Sequence, residues 1–509
     1  MNPMNSNGML PKAKDFTSFL SKESSGRERS GLKSYIQYTR RDGMRSLGGG
    51  LPHPSLFSFA SVDVAVTDYT PPAPVNGAKL SKAAESNSKQ LPLPLSSGPS
   101  QKPKPTKNIH IPLFPDLKAS ITLAESLQYG QGQGSQKLIN ILHDTVQHTH
   151  KPKYSDFNII VTAGNTDAMD KSLRLLCERG DAVLVEEWSY PSAMEQMRPM
   201  GVQLVPVKVD SEGMVPEDLI RATNEYRMAN SELRLNIVYC VPTGQNPLGT
   251  NMSIERRQAF YNACQQLDLI ILEDDPYSVL QLPPFTEEDA DKDLEALEST
   301  YSYPGTTGLM PSLFSMDTDG RVIYMYTYSK VLAPGCRLGY VVLNAGFYER
   351  FTWLTEVTTQ GASGFSQSIV TEMLSKWTPN DHYNLAINLQ KHYTHKRNII
   401  VKAAMKALHK SVTQPQLASF VVPTSGMFLW IKVNLPESYK AGIMKRIFDS
   451  LIQQNVLLVP GMEFSPFGKK GNEDAPYFRA AFCFATDEAL EQAMITLGKV
   501  LKDFGCGQS

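Results

Sequence analysis

From about residue 155 onward, short apolar runs alternate with longer stretches of helical period. The runs are NIIVTAG (158–164), DAVLVEE (181–187), VQLVPV (202–207), LNIVYC (235–240), LIILED (269–274), RVIYMYT (321–327) and LGYVVL (338–343). Most are continuously apolar rather than alternating, as expected of strands covered on both faces. Helical-period segments follow several of them, such as TDAMDKSLRLLCERG and SIERRQAFYNACQQLD. The pattern predicts an α/β fold, with a mostly parallel seven-stranded sheet between helices. From about 380 onward, a long helical stretch and the strand-like runs SGMFLWIKV, VLLVP and PYFRAAFCF predict a smaller α+β domain built from both chain ends.

At 509 residues the chain exceeds the ~250–300 that one core usually spans. Residues 1–60 read as an N-terminal arm and part of the small domain, 116–375 as the large domain, and 376–509 as the small C-terminal domain. Between them, 61–115 is dense in Pro, Ser and Lys, a surface insertion with too little apolar surface for a core. A second insertion, about 283–315, is acidic and polar. Lys plus Arg is 50 against 51 for Asp plus Glu, which gives no electrostatic case for nucleic acid or an anionic membrane. No apolar run reaches the ~18–20 residues of a membrane span. Met1-Asn2-Pro3 opens no secretory signal, and the six cysteines form no C-x-x-C, so a cytoplasmic location with reduced thiols is expected. His143, His148 and His150 raise the question of zinc, but they sit on a polar helical stretch without a nearby cysteine. They read as a solvated face, and no metal is expected.

In open α/β sheets, ligands bind beyond the carboxyl ends of the strands, so the residues just after each run matter most. After RVIYMY stand Thr327, Tyr328, Ser329 and Lys330, then Pro334-Gly335 and Arg337. A lysine can condense with an aldehyde, the hydroxyls can hold phosphate oxygens, and the arginine adds a planar fork. An isolated S-x-K is usually a surface turn; the extended S-K-x-x-x-P-G-x-R-x-G is not. Asp274 and Asp275 close the run LIILED and its following turn, with Tyr277 next; an acid there can keep a pyridinium protonated. A solvated acidic turn is the plain alternative. The Pro- and Gly-fixed loop 241–250 carries Asn246. Asn165 and Thr166 open a helix whose free N–H groups suit phosphate, or simply a cap. Tyr190 could cover a ring or merely pack. Arg479, alone among apolar residues, requires an anion: a substrate carboxylate or a protein acid.

Together, GGGLP, LQYG, TAGNT, PTGQNPLGT, EDDPY, YSKVLAPGCRLGY and SGMF resemble, in that order, the class I/II aminotransferases of fold type I. The likeness runs from Gly48 to Phe484 and is nearest the fungal aromatic aminotransferase I / 2-aminoadipate aminotransferase group. It implies pyridoxal 5′-phosphate bound to Lys330, with Asp274 on the pyridinium and Tyr277 and Asn246 on the ring oxygen. Asn165, Thr166, Thr327, Ser329 and Arg337 would surround the phosphate, with Tyr190 over the ring. Arg479 would clamp the substrate carboxylate near Gly50, and Lys33 would face a distal acid. Tyr129 would reach the neighbouring subunit's phosphate, which implies a homodimer. Aromatic amino acids, with 2-aminoadipate or kynurenine, are the implied donors and 2-oxoglutarate the acceptor. A fold-type-I lyase or decarboxylase, or a non-catalytic sensor of the cofactor, would share these residues.

Overall fold

The computed structural model of the chain describes residues 10–507 apart from 36–37, 39–40, 46, 68–104, 117, 412–413, 469 and 471. The strands β1 (Ser61–Thr67) and β2 (Pro105–Pro112) pair antiparallel. The expectation of a coreless insertion over 61–115 therefore fails at its ends. Ile109 and Ile111 lie two apart on one side of β2, and both are buried. Residues 68–104 lie outside the described residues.

The seven apolar runs all become strands of one sheet: β3 (Phe157–Thr162), β4 (Ala182–Glu186), β5 (Gln203–Val207), β6 (Leu235–Cys240), β7 (Ile270–Asp274), β8 (Val322–Thr327) and β9 (Gly339–Asn344). Their order is β3-β9-β8-β7-β6-β4-β5, with β9 antiparallel to both neighbours and every other pair parallel. Successive side chains enter two separate cores. Ile270 and Leu272 of β7 and Ile323 and Met325 of β8 join one, while Ile271, Val322 and Tyr324 join the other. Two cores explain why the strands are apolar at nearly every position.

Helices cover both faces. Leu138, Leu142 and Val146 of α1 (Gln136–Thr149) enter the second core, and Met169, Leu173 and Leu176 of α2 (Asn165–Leu176) enter the first. Next come the short α3 (Pro191–Met197), then α4 (Ile254–Gln266), which adds Phe260 and Cys264 to the second core. The 283–315 insertion contains α5 (Leu294–Ser299), whose Leu297 is buried in the first core. Beyond α6 (Ala345–Val357), the long α7 (Pro379–Leu408) begins with a Thr378/Asp381 capping box, and α8 (Asp487–Asp503) packs beside it. Between these two helices the chain forms a four-stranded antiparallel sheet in the order β10-β11-β13-β12, from β10 (Ala418–Phe420), β11 (Phe428–Val433), β12 (Val459–Pro460) and β13 (Tyr477–Ala481).

Two segments are tied in ways composition did not indicate. The insertion grips α7: Gln390 Nε2 donates to Val279 O and Gly305 O, each at 2.9 Å, and His395 bridges Glu298 to Asp487. The first described residues dock on the large domain rather than joining the small sheet. Ser21 N and Oγ donate to Leu175 O and Arg174 O of α2, at 2.9 and 2.8 Å.

Candidate active site

The carboxyl ends of β3, β4, β6, β7 and β8 carry many of the residues singled out from the sequence, and hydrogen bonds join some of them: Asn165 with Asp274, Thr327 with Ser329 and Ser329 with Arg337, and Asn246 with Arg479. At the end of β3, Gly164 takes φ +96° and starts α2, leaving its first N–H groups without helical partners. A Cβ on Gly164 would crowd Arg337 Nη2 at 3.0 Å, and the positive φ is one that other residues rarely adopt, so a glycine suits the turn that meets the arginine. Arg337 Nη2 donates to Ala163 O at 2.8 Å, and Nη1 reaches Ser329 Oγ at 3.4 Å. The Ser329 and Thr327 hydroxyls are 2.9 Å apart. Thr166, in the first turn of α2, is exposed beside this group. Hydroxyls, a guanidinium and a helix N-terminus together form an anion cradle.

The Asp274 carboxylate ends β7 in a buried position. Asn165 Nδ2 donates to its Oδ1 at 2.6 Å and Tyr239 Oη to its Oδ2 at 2.9 Å. Burial raises its pKa, while these two hydrogen bonds hold it down. Neither donor is a cation, so the carboxylate remains available to a positive ligand atom. Asp275 faces the other way, toward the Tyr324 hydroxyl, and burial pushes its carboxyl up to about 7. The acid of the pair expected to meet a ring nitrogen is thus the one held by neutral donors.

Tyr277 is buried, its ring edge-on to Phe428 at 5.9 Å, and burial pushes its hydroxyl pKa up. The loop after β6 is pressed against it. A Cβ on Gly244 (φ +62°) would lie 2.8 Å from Gly426 N and 3.0 Å from the Tyr277 Cβ. Gln245 closes the loop: its Nε2 donates to Glu186 Oε2 (2.9 Å) and Trp188 O (2.7 Å), and its Oε1 accepts from Leu248 N (2.8 Å). That leaves Asn246 facing Arg479, whose Nη1 donates to Asn246 Oδ1 at 2.8 Å.

Arg479 projects from β13 and forms no ion pair with a protein acid among the described residues; its buried Nε has no partner among them. Burial lowers its pKa. Of the two readings of this arginine, a salt bridge within the protein is therefore excluded among the described residues. Lys330 follows β8 half-buried, and its Nζ makes no hydrogen bond or ion pair among the described residues. The Cys483 thiol, raised by burial, feels the charges of both Lys330 and Arg479, and Tyr190 adds to the electrostatics of Tyr277 and Arg479.

Three expected residues are not joined to this group within one chain. Tyr129 is 62% exposed. Gly50 is exposed with open space around it. Lys33 Nζ donates to Gly130 O at 3.1 Å and lies near the charge of Glu356, so it holds the loop just after Tyr129. His150 requires a correction: it is half-buried, packed against Phe314 and Tyr324 and bonded to Ser312, and desolvation of the ring pushes its pKa down to about 4. No cluster of metal-ligating side chains occurs among the described residues. Four contributors went unremarked in the sequence: Tyr239, Glu186, Gln245 and Phe464. Only Gln245 lay within a motif already singled out, where it could have been found.

The residues fit a phosphorylated pyridine. The buried Asn165 Oδ1 has no partner among the described residues, the Gly164 turn forms a cradle that a Cβ would fill, and the buried Asp274 has only neutral donors. Such a fold and site define a transaminase of the pyridoxal phosphate type. The chain belongs to aminotransferase class I and II, whose family model matches residues 118–497, and its cofactor is pyridoxal 5′-phosphate. It is 33% identical to an aromatic amino acid aminotransferase of Schizosaccharomyces pombe, over 98% of this chain and 100% of that protein. An L-tyrosine:2-oxoglutarate aminotransferase of Serpula lacrymans is 27% identical over 97% of this chain and 96% of its own length. The crystal structure of the aminotransferase Aro8 from Candida albicans matches with a TM-score of 0.80 at 30% identity, covering 97% of this chain and 100% of that one. Among the described residues, no helix is long and apolar enough to cross a membrane.

Proposed function

We propose that this protein transfers the amino group of an aromatic amino acid to 2-oxoglutarate, in two half-reactions that share one site. The observation that carries the reading is Arg479, a half-buried guanidinium with no acid to pair with among the described residues, set beside Asn246 and Tyr277. Such a group is costly unless an anion arrives, and an α-carboxylate is common to every amino acid and 2-oxo acid. The aromatic side chain is supported by the names of the Schizosaccharomyces pombe and Serpula lacrymans relatives.

Pyridoxal 5′-phosphate, when bound, supplies an aldehyde that takes up the amino group and a ring that draws electrons from the substrate α-carbon. The rest falls to this chain's residues. Asn165, Thr166, Thr327, Ser329 and Arg337 would hold the phosphate, and Tyr190 would cover the ring. Asp274 would hold a proton at the ring nitrogen, because a buried carboxylate with neutral donors favours a cation beside it. Tyr277 and Asn246 would donate to the ring oxygen. Lys330 would hold the aldehyde carbon and, once displaced by substrate, move a proton at the substrate α-carbon. The exposed Tyr129 suits a role in a homodimer, reaching the partner subunit's phosphate, with Gly50 near the carboxylate. The six cysteines, free of disulfides, fit a cytoplasmic location.

The test is a product balance with tyrosine and 2-oxoglutarate, plus borohydride reduction and peptide mapping. One glutamate should form per 4-hydroxyphenylpyruvate, the label should sit on the Lys330 peptide, and Lys330→Ala should abolish both. Product without glutamate would instead mark a lyase or decarboxylase. Kynurenine and 2-aminoadipate are further donors to rank in the same assay.

A further inference from the structure

A buried guanidinium usually finds an acid, because removing its charge from water costs several kcal/mol. Arg479 is half-buried, with its Nε fully so, and has no acid among the described residues, yet it is not left to hydrocarbon. Its Cζ lies over two aromatic rings, 4.6 Å from the Phe428 centroid and 5.0 Å from that of Phe464. The two rings come from opposite flanks of β13. Phe428 belongs to β11, on one side, and Phe464 to the turn that follows β12, on the other. We propose that Phe428 and Phe464 are positioning residues for Arg479, replacing the missing counterion with two ring faces and presetting the guanidinium plane to receive a substrate carboxylate.

The chemistry differs from that of an ion pair in one important respect. A protein carboxylate would stabilise the cation by occupying its N–H donors, and an incoming carboxylate would have to displace it. An aromatic face attracts the cation through its quadrupole and uses no donor. Asn246 takes Nη1, and Nε is left without a partner among the described residues. Rings on the faces also limit rotation of the fork, so less ordering remains to be done when the ligand binds.

Both rings are themselves anchored. Phe428 meets Tyr277 edge-on, tying the arginine to a cofactor-side residue. Phe464 is fully buried, packs edge-on against Trp430 at 5.4 Å, and accepts Ser189 N at its carbonyl (2.9 Å). Arg198, just past α3, donates to Ser465 O at 2.9 Å and Pro466 O at 3.2 Å. The ring under Arg479 is thereby attached to the segment that carries Tyr190, so both walls of the site set its position.

The inference rests on the proposed function, and the test separates the two. Phe464→Leu and Phe428→Leu are compared with Phe464→Tyr, which keeps a ring, and with Arg479→Ala, all as holoenzymes. Three quantities are read: steady-state KM and kcat for donor and acceptor, the dissociation constant of unreactive 3-phenylpropionate from its effect on the cofactor spectrum, and the single-turnover rate with 2-phenylethylamine, which lacks a carboxylate. Each leucine variant should raise both KM values and the 3-phenylpropionate constant about tenfold, the range of a desolvated cation–π contact. It should leave kcat and the 2-phenylethylamine rate near parental, while Phe464→Tyr restores tight binding. The proposal is overturned if both leucine variants bind 3-phenylpropionate like the parent, or if phenylalanine and 2-phenylethylamine suffer equally. Should one leucine variant not fold, the other carries the measurement. A parent that makes no glutamate but binds 3-phenylpropionate through Arg479 would sink the proposed function and leave this inference standing.

Discussion

Glu186 ends β4 completely buried; among the described residues no cation lies within ion-pair distance, its Oε2 accepts from Gln245 and its Oε1 has no partner. Burial pushes its pKa from 4.5 up to about 8, and the nearby Asp274 charge acts in the same direction. The folded state therefore holds a proton that the unfolded chain has released between these two pH values. The stability this contributes is complete below the unfolded pKa and is lost as pH rises through about 8. From pH 6 to pH 8.5 the loss spans about two units, or about 3 kcal/mol at ~1.4 kcal/mol per unit. Glu186→Gln keeps the shape and an acceptor for Gln245 but cannot ionise. Urea unfolding of parent and variant at pH 6.0 and 8.5, in the same cofactor state, should show the variant gaining about 3 kcal/mol relative to the parent at the higher pH. A difference between the two proteins that is identical at both pH values would refute a buried neutral carboxyl at this position.

Two further outcomes follow from hydrogen bonds at the site and at the insertion. Tyr239→Phe removes a 2.9 Å donor from Asp274 without changing the packing, a charge-assisted bond of about 1.5–3 kcal/mol. The Asp274 pKa should rise further and kcat fall at least about tenfold; a pH titration of cofactor absorbance that matches the parent would contradict this. His395, between Glu298 and Asp487, has its pKa raised to about 9, chiefly by the Asp487 hydrogen bond. Its stabilisation is full below about 6.5 and lost as pH rises through 9. After allowance for partial exposure, His395→Gln should cost about 1–2 kcal/mol at pH 6 and little at pH 9.5. Equal losses in thermal unfolding at both pH values would count against it.

The parts of the fold that were legible are those where one local rule decides the outcome. Strands covered on both faces must be apolar at successive positions, so Ile270, Ile271 and Leu272 betray β7 even though they enter two different cores. Lys330, Asp274, Asn246 and Arg337 could be picked out as candidates because turns after such strands are where ligands sit, and the surrounding Pro and Gly fix those turns. What stayed hidden depends on pairing across long separations. In the stretch 61–115, the Pro-, Ser- and Lys-rich composition between the two strands hides them, and Ile109 and Ile111 become core where β2 pairs with β1. His150 reads as polar surface from its local sequence; Phe314 and Tyr324, remote in sequence, pack against it. Phe464 carries the same lesson into the site, since nothing near it in sequence marks it as different from any other core phenylalanine. Its part in the chemistry arises only where β13 brings Arg479 over its ring and Ser189 fixes its backbone. A residue that binds ligand must carry a recognisable functional group, and so it leaves a trace in the sequence. A residue that orients such a group needs only shape and a place in the fold, and only the folded chain reveals it.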